Sequence, residues 1–236
     1  MKKYIGTKQI EAEPMTRGDA WGKHLLREKP STENFDDEGY HVRYEDEYES
    51  WSPKDVFEKA YKIAETPVDR MQIEAEEVNG RYVKLAAFID SGKMDEVVND
   101  MYNKCLLEIQ CGTMFDYIRL LDTRIQRMQG SDSAEVRKMN FGMAIMALKA
   151  GYPIRRSGWN GKGLMVFKQV PAHIESDVIP KMQSLPQSAK DLIIKGKGFI
   201  DYTSQCLIYN ENTGRADSWV PSISDVFADD WEIVLS

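Results

Sequence analysis

The sequence contains few of the residues that hold metals or form disulfides: its 236 residues include three cysteines and three histidines. The cysteines are odd in number and show no CxxC spacing, so neither a disulfide framework nor a zinc site is predicted. The histidines are scattered and lack the spacing that places two ligands on one helix face. We therefore expect no metal and no cofactor, and we expect the cysteines to be buried, unpaired thiols.

Long apolar runs and a surplus of positive charge are also absent. No run approaches the roughly 18–20 apolar residues that a membrane-spanning helix needs, and the first residues lack the apolar core of a signal peptide. Lysine and arginine number 31 against 38 acidic residues, which gives a formal net charge of −7. Proteins that coat nucleic-acid backbones need surplus cations to displace counterions. The sequence therefore predicts a cytoplasmic protein that binds neither membranes nor nucleic-acid polymers.

Motifs of common catalytic sites are absent too. The sequence has no G-x-S-x-G nucleophile turn, no GxxxxGK[ST] phosphate loop and no isolated cysteine with an obvious histidine partner. Their absence lowers the expectation of catalysis without excluding it. The hydrophobic content of 42% is sufficient for one large domain or for two to three small ones. The local patterns favour three domains.

Residues 1–62 have the pattern of a small β-hairpin followed by a helix. The stretch GYHVRY alternates in polarity, a charged turn follows, and YESW forms a second short strand. Ser52 and Pro53 then favour a helix start, as an N-cap and a first-turn proline. Three aromatic residues are expected to form a small core, with a ligand or partner surface as the alternative: Tyr40, Trp51 and Phe57.

Residues 66–130 have the pattern of two amphipathic helices. Pro67 favours the start of the first, and Ser91-Gly92 favours its end before a second helix begins near Met94. Apolar residues recur at alternating spacings of three and four, which is a heptad seam. The seam comprises Met71, Ala75, Val78, Tyr82, Leu85 and Ile89, and then Leu107, Cys111, Met114, Ile118, Leu121, Ile125 and Met128, with a slip in phase upstream of Leu107.

The short connection between these helices predicts an antiparallel helical hairpin. Two helices alone bury too little apolar surface for independent stability. Neighbouring domains or other copies of the chain must cover the remaining apolar faces. We therefore expect a homo-oligomer, with a tetramer favoured over a dimer.

Residues 138–236 predict an antiparallel sheet with one or two helices. Asn140 is placed to cap a helix, the glycine-rich SGWNGKG favours a turn between the strands IRR and LMVFKQV, and NENTG favours a hairpin turn. A serine of VPSIS can cap a short helix before the last strand. Residues 171–198 are expected to form a mobile insert. The expected core aromatics are Phe227 and Trp231. Together with the hairpins, this makes the predicted fold class α+β.

Two tryptophans of this domain, Trp159 and Trp219, follow turn-forming stretches. Arginine and lysine residues surround Trp159, and hydroxyl and acidic residues follow Trp219. These side chains have the composition of a small pocket for an anionic ligand. We expect the tryptophans to stack on a ligand, with packing at the edge of the core as the alternative.

The order of a short helix, RRSGWNGKG, a WVPS segment and a closing DDWEI resembles the second type of Thoeris anti-defence protein. These proteins are phage-encoded sponges that sequester a cyclised ADP-ribose signal, and the resemblance covers residues 139–236. It implies a pocket in which a base stacks on tryptophan and a diphosphate binds to cations and to the N–H groups of a glycine turn. The ribose hydroxyls would form hydrogen bonds with polar side chains. The residues for these three roles are Trp159 and Trp219; Arg155, Arg156, Lys162 and Gly161; and Asn160, Ser222 and Asp225.

The stretch LLEIQCGTMFDYIRLLDTRI resembles the helical-hairpin domain shared by anti-CBASS sponges and the first type of Thoeris anti-defence protein. The resemblance implies a ring-like oligomer that binds cyclic dinucleotides or cyclised ADP-ribose between subunits. The alternative is that the hairpin serves assembly only. Candidates for this second site are a tyrosine that could stack on a base and two cations: Tyr82, Lys84 and Arg124. The stretch GYHVRY…YESWSPKDVFEKAY also resembles a leader module found on many phage proteins.

These resemblances imply a phage-encoded immune antagonist that acts in the host cytosol. It would bind and sequester cyclic nucleotide signals without cleaving them, which agrees with the absence of catalytic motifs. Two alternatives stay open. One is a nucleotide-processing enzyme that uses Asp225, Asp229 or Asp230 as acid or base, and the other is a structural phage protein without a ligand.

Overall fold

The structure is a computed structural model that describes residues 9–136 and 138–235. Residues 1–8, Arg137 and Ser236 lie outside the described part. The expectation about a signal peptide concerns the first of these segments. Within the described residues the chain forms ten β-strands and eight α-helices, so the predicted α+β class is confirmed. The chain divides into two units between Arg81 and Tyr82, and each unit has buried residues of its own.

The N-terminal unit contains a small antiparallel sheet. Its elements are β1 (Ile10–Thr16), α1 (Arg17–Gly22), a 3-10 turn (Thr32–Asn34), β2 (Glu38–Tyr44), β3 (Glu49–Pro53), α2 (Lys54–Ala60) and the first part of α3 (Pro67–Asp90). The strand order is β1-β2-β3, and β2 and β3 form the predicted hairpin. The sequence does not predict β1, because Pro14 interrupts its pattern. An edge strand tolerates proline, since one side of the strand needs no N–H donor.

Of the three aromatic residues expected in the core of this unit, Phe57 is buried, whereas Tyr40 and Trp51 are half-buried. Tyr40 stacks on Phe57 with ring centroids 4.2 Å apart, and Val42 is fully buried. Trp51 is half-buried and donates its indole N–H to the carbonyl oxygen of Met15 at 3.0 Å. The N-terminal sheet and α2 are therefore held together by packed rings.

The predicted cap of α2 is wrong by one residue. Ser52 lies inside β3, and Pro53 is the N-cap, without a side-chain hydrogen bond to the helix. Pairing of β2 with β3 extends to Gly39 and Pro53. The strand therefore keeps Ser52 in an extended conformation that continues the sheet.

The first long helix, α3 (Pro67–Asp90), follows its predicted bounds. The predicted start of the second helix near Met94 is wrong, because a short α4 (Lys93–Val97) ends before α5 (Met101–Met128) begins. Gly92 ends the first helical stretch with a φ of 73°, a left-handed value that favours glycine. Asp100 caps α5 by accepting from the N–H groups of Tyr102 and Asn103. This break separates α4 from α5.

The predicted heptad seam is the less exposed face of both long helices. Its residues are buried or half-buried, with Met128 at the end of α5 as the exception. Tyr82 of α3 and Phe115 of α5 have ring centroids 5.7 Å apart, which agrees with an antiparallel helical hairpin. Neither of these helices, nor any other in the described ranges, is apolar over a length that could cross a membrane.

The C-terminal unit continues after α5 with a five-stranded sheet and its flanking helices. The elements are α6 (Phe141–Lys149), β4 (Ile154–Arg156), β5 (Leu164–Lys168), β6 (Ala172–Ile174), α7 (Gln187–Lys195), β7 (Ile200–Tyr202), β8 (Cys206–Asn210), β9 (Arg215–Trp219), α8 (Ile223–Val226) and β10 (Trp231–Ile233). Five strands pair antiparallel in the order β10-β4-β5-β8-β9. Asn140 caps α6 by accepting from the Met143 N–H at 3.0 Å, as predicted. The core comprises Met139, Met143, Ala144, Ala147, Leu148, Ile154, Val166, Ala228 and Trp231.

Residues 171–198, expected to be an insert, have structure of their own. β6 and β7 pair as a two-stranded antiparallel sheet at the base of this segment. Between them lie a 3-10 turn (Ile179–Lys181) and α7. Ile179 is fully buried. The weak helical pattern in the sequence therefore corresponds to α7.

Two expectations about burial are wrong. Phe227 was expected in the core beside Trp231, but it is 81% exposed, whereas Trp231 is fully buried. α8 is a single turn that directs Asp225 inward, and Phe227 follows at its C-cap. Cys105 is exposed, and the other two thiols are half-buried; all three cysteines are free.

Candidate functional site

Pairing of β4 with β10 brings the two halves of the predicted site together. Arg156 lies opposite Trp231 in the antiparallel register. One residue beyond the strands, the Ser157 N–H donates to the carbonyl oxygen of Asp230 at 3.0 Å. The turn after β4 therefore lies beside the acidic segment that precedes β10.

The Arg156 guanidinium is held by two carboxylates. Its Nε donates to Asp230 Oδ1 at 2.7 Å, and its Nη1 donates to Asp225 Oδ1 at 2.9 Å and to the carbonyl oxygen of Ser224 at 3.2 Å. Hydrogen bonds to Asp230 and Asp225 raise the pKa of Arg156. The side chain is 18% exposed. One cation between two acids leaves the cluster with a negative charge.

The Asp225 carboxylate accepts from four donors, and the side chain is 10% exposed. Its Oδ2 accepts from the Ser222 N–H at 2.9 Å and from the Ser222 hydroxyl at 2.7 Å, within a capping box at the start of α8. Its Oδ1 accepts from Arg156 Nη1 and, at 3.1 Å, from the Trp159 indole N–H. Burial raises the pKa of Asp225, but the hydrogen bonds from Ser222, Arg156 and Trp159 outweigh this effect and lower the pKa to about 2.

Asp230 joins Arg156 to the glycine turn. The Gly158 N–H donates to Asp230 Oδ2 at 2.9 Å. The hydrogen bond from Arg156 is the main reason that the pKa of Asp230 is lowered; burial opposes it and the Gly158 N–H adds to it. A Cβ atom added at Gly158 would lie 2.5 Å from Asp230 Oδ2. Only glycine therefore fits here without displacing the carboxylate.

Three tryptophans meet beside this cluster. Trp159 packs edge-on against the fully buried ring of Trp231, with centroids 5.5 Å apart and an interplanar angle of 77°. Trp219 packs against the same ring at 6.2 Å and 80°. The Trp231 indole N–H donates to the carbonyl oxygen of Asp225 at 3.0 Å. Trp159 and Trp219 are half-buried and pack at the edge of the core, and parts of both side chains remain open to solvent.

The glycine turn after Trp159 is in contact with neighbouring residues of the chain. Gly163 has a φ of 78°, and its carbonyl oxygen accepts from the Glu211 N–H at 2.9 Å. A Cβ atom added at Gly161 would lie 2.5 Å from Leu164 Cδ1. The turn therefore favours glycine at position 163 because of its backbone conformation, whereas a side chain at position 161 would have to displace the end of the Leu164 side chain.

The other predicted contacts lie at the surface around the cluster. Arg155 donates from Nε to Glu232 Oε2 at 3.1 Å. Asn160 and Lys162 are exposed, and the carbonyl oxygen of Lys162 accepts from Asn212 Nδ2 at 2.7 Å. The side chains of Asn160 and Lys162 are thus accessible to a ligand beside Trp159.

The second predicted set is spread along the helical hairpin. Tyr82 is half-buried and contacts Phe115, whereas Lys84 and Arg124 are exposed. Residues two apart on a helix do not face each other, so Lys84 points away from Tyr82. Arg124 lies nine residues beyond Phe115 on α5, a rise of about 14 Å. The structure therefore does not gather these three side chains into one cluster.

Sequence reasoning missed two residues that organise the site. Asp230 was considered only as a catalytic acid or base, and Gly158 only as part of a glycine-rich turn. The available signal was their position directly before Trp231 and Trp159. Within residues 9–136 and 138–235, histidine, cysteine, aspartate and glutamate side chains form no group of three or more that could hold a metal ion.

Comparison with known proteins matches two segments of the chain. A family model described as a Thoeris anti-defense 2-like domain matches residues 139–234, and a family model named Sequestin matches residues 65–127. The Thoeris anti-defense 2 protein of Bacillus phage SP01 is 33% identical over 102 residues, which cover 41% of this chain and 96% of that protein. The matched segments contain the helical hairpin and the Arg156–Asp225 cluster. The chain therefore belongs to the Thoeris anti-defense 2 family through its C-terminal domain and also carries a Sequestin domain.

Proposed function

We propose that this protein is a phage anti-defence sponge, which binds cyclic nucleotide signals in the host cytosol and holds them without cleaving them. The ligand classes are cyclised ADP-ribose, cyclic dinucleotides, or both. The observation that carries the proposal is the pair of half-buried tryptophans, Trp159 and Trp219, packed against Trp231 next to an exposed polar turn. Family membership supports the same function.

Each part of a nucleotide has a suitable group at this site. The open faces of Trp159 and Trp219 can stack on a base. Lys162 and the backbone N–H groups of the glycine turn can meet phosphate oxygens, and the exposed Asn160 side chain can meet ribose hydroxyls. Arg155 pairs with Glu232 on the opposite face of the sheet from Arg156, since successive residues of a strand point to opposite faces, so Lys162 is the better placed cation.

Arg156 has a different status from the other predicted cations. Its guanidinium is engaged by Asp225 and Asp230. A ligand phosphate would have to compete with two carboxylates for the remaining N–H groups. We therefore propose that Arg156 supports the site through its ion pairs with Asp225 and Asp230. Lys162 is then the cation that binds the ligand phosphate.

The charge state of the acids supports binding without turnover. A general acid or base works best when its pKa lies near the working pH. The hydrogen bonds around Asp225 and Asp230 move both pKa values downwards, to about 2 for Asp225. Neither carboxylate is suited to take up a proton near neutral pH.

The hairpin can supply assembly, a second site, or both. The Sequestin match over residues 65–127 supports a role in sequestration. Tyr102, Leu106 and Ile109 recur at spacings of four and three on α5 and are all exposed. Covering such a stripe with other copies of the chain would produce the expected homo-oligomer, for which we propose a tetramer. We propose three domains: a small N-terminal domain (residues 1–62), the helical hairpin (66–130) and the sponge domain (138–236).

Recovery of bound ligand tests this function. The protein is incubated with cyclised ADP-ribose or cyclic di-AMP, freed of unbound ligand, heat-denatured and analysed by mass spectrometry. The proposal predicts release of the intact ligand, and much less from Trp159→Ala than from the matched Trp21→Ala variant in the N-terminal unit. Recovery of a cleaved nucleotide would indicate the enzyme alternative. Recovery of nothing from the unmodified protein would indicate a structural role.

A competition titration separates one site from two. Independent sites leave the affinity for one ligand unchanged when the other is saturating, whereas ligands that share a site displace each other. Binding of both ligand classes without competition would place the second class at the hairpin. Mutual displacement would leave assembly as the role of the hairpin.

A further inference from the structure

The four donors around Asp225 fill its capacity to accept hydrogen bonds. An ionised carboxylate offers about four lone-pair positions. Two on Oδ2 face the N–H and hydroxyl of Ser222, and two on Oδ1 face Arg156 Nη1 and Trp159 Nε1. Since the residue is also 7% exposed, a ribose hydroxyl would have to displace one of these donors to reach it.

The same residue holds two indole rings. Its side chain accepts from the Trp159 N–H, and its carbonyl oxygen accepts from the Trp231 N–H at 3.0 Å. The Trp159 ring is therefore fixed at two points, by the hydrogen bond at Nε1 and by edge contact with Trp231. Rotation of the indole about its side-chain bonds would break the hydrogen bond.

Asp225 is itself held rigidly. The Ser222 capping box ties it to the start of α8, and Arg156 ties it to Asp230. Asp230 in turn accepts from the N–H of Gly158, the residue before Trp159. These hydrogen bonds thus connect the Trp159 side chain, through Asp225, Arg156 and Asp230, to the backbone N–H of Gly158 in the same turn.

From this geometry we propose that Asp225 is a positioning residue, which fixes the orientation of the Trp159 ring and acts on ligand affinity only through that ring. The inference rests on the proposed nucleotide-binding function for its effect on affinity. It replaces the expectation that Asp225 contacts ribose. A ring held in its binding orientation before the ligand arrives loses less conformational freedom on binding.

The orientation can be tested in the free protein. The Trp159 indole N–H resonance is assigned by its disappearance in Trp159→Phe, and its hydrogen exchange is compared with that of the exposed model indole N-acetyltryptophanamide. Slow exchange that becomes fast in Asp225→Ala, which removes the acceptor of the Trp159 N–H, is expected. Exchange as fast as that of the model indole in the unmodified protein would overturn the proposal, and this outcome needs neither a ligand nor a folded Asp225 variant.

A double-mutant cycle tests the effect on affinity with cyclised ADP-ribose and cyclic di-AMP as probes. Asp225→Ala, which removes the acceptor of the Trp159 N–H, is expected to weaken binding about three- to tenfold when Trp159 is present, the loss expected for freeing one side chain. In the Trp159→Phe background the same change should have no further effect. An equal loss in both backgrounds would show direct contact with the ligand and overturn the proposal.

The two measurements keep this inference separate from the proposed function. If the unmodified protein binds neither probe, the sponge function fails, and indole exchange still decides whether Asp225 fixes the ring. If the protein binds a probe but Asp225→Ala leaves both the exchange and the affinity unchanged, the sponge function stands and the positioning role fails.

Discussion

Arg156 and Asp230, 74 residues apart in the chain, are joined by a hydrogen bond of 2.7 Å between Nε and Oδ1. The same guanidinium donates to Asp225 at 2.9 Å. Both acids keep lowered pKa values because of this contact and the other hydrogen bonds they accept. The site is therefore organised around an ion cluster that also fixes the fold of the C-terminal domain.

We expect Arg156→Ala to destabilise the protein by about 2–4 kcal/mol, because removing one partner of a largely buried ion pair leaves an uncompensated charge. Arg155→Ala is the matched control on the same strand. Its pair with Glu232 is half-exposed, so the loss should be at most about 1 kcal/mol. Urea unfolding of both variants measures the difference, and equal free energies of unfolding would show that the cluster is not structural.

Gly158→Ala should also destabilise the domain, by about 1–3 kcal/mol. The added Cβ would lie 2.5 Å from Asp230 Oδ2, and Arg156 restrains that carboxylate from moving away. Gly112→Ala on α5 is the control, for which we expect a change in stability of the opposite sign. Its Cβ meets nothing within 4 Å, so alanine should stabilise the helix by up to about 1 kcal/mol. Thermal melting that shifts in the same direction for both variants would contradict this account.

The sequence predicts most local features of the fold, with the cap of α2 and the start of α5 as exceptions. Caps at Asn140 and Ser222, the break at Gly92 and the heptad seams depend on residues within a few positions of each other, and all are present. Spacing along the chain encodes such features directly, since helical periodicity and capping are local.

Contacts between distant segments could not be predicted in the same way. Arg156 was assigned to a ligand phosphate because no local pattern shows which arginine will meet two carboxylates about 70 residues later. Phe227 was assigned to the core by its hydrophobicity, but the inward direction of Asp225 on a one-turn helix leaves it exposed. Tertiary pairing, which sets both outcomes, is not contained in a periodic pattern.

Protonation of His173 should tighten the base of the insert. Its Nδ1 lies 2.6 Å from Asp201 Oδ1 and its Nε2 lies 3.2 Å from Glu175 Oε1, and the ring packs on Phe199 at 4.8 Å. The hydrogen bond with Asp201 is the main reason that the pKa of His173 is raised above 6.5. A raised pKa means that this stabilisation is complete below the unfolded pKa and is lost as the pH rises through the folded pKa.

A proton NMR titration of the His173 ring measures that pKa. We expect a value above 6.5 in the unmodified protein and a lower value in Asp201→Asn, which keeps the size of the side chain and removes its charge. Amide exchange in β6 and β7 should become faster as the pH rises through the His173 pKa, after correction for intrinsic exchange. Identical titration curves for the two proteins would show that Asp201 does not hold the imidazolium.

The exposed stripe on α5 should be an assembly surface. Replacing Ile109 by glutamate puts a charge in the middle of the stripe, next to Leu106, and should shift the proposed tetramer towards smaller species. Leu192→Glu on α7 is the control, since Leu192 is also exposed but lies on the insert. Light scattering at micromolar concentration reports the mass. A monomeric unmodified protein would rule out assembly through the hairpin.

Calorimetric titration with cyclised ADP-ribose and cyclic di-AMP tests the central claim most directly. We predict that the unmodified protein binds at least one of them and that Trp159→Ala weakens this binding by about 1–3 kcal/mol, the range for a base stacked on an aromatic ring. Trp21→Ala, which removes the same side chain from the N-terminal unit, should bind with unchanged affinity. Absence of binding to the unmodified protein, or equal affinity of a well-folded Trp159→Ala variant, would contradict a nucleotide sponge built around Trp159.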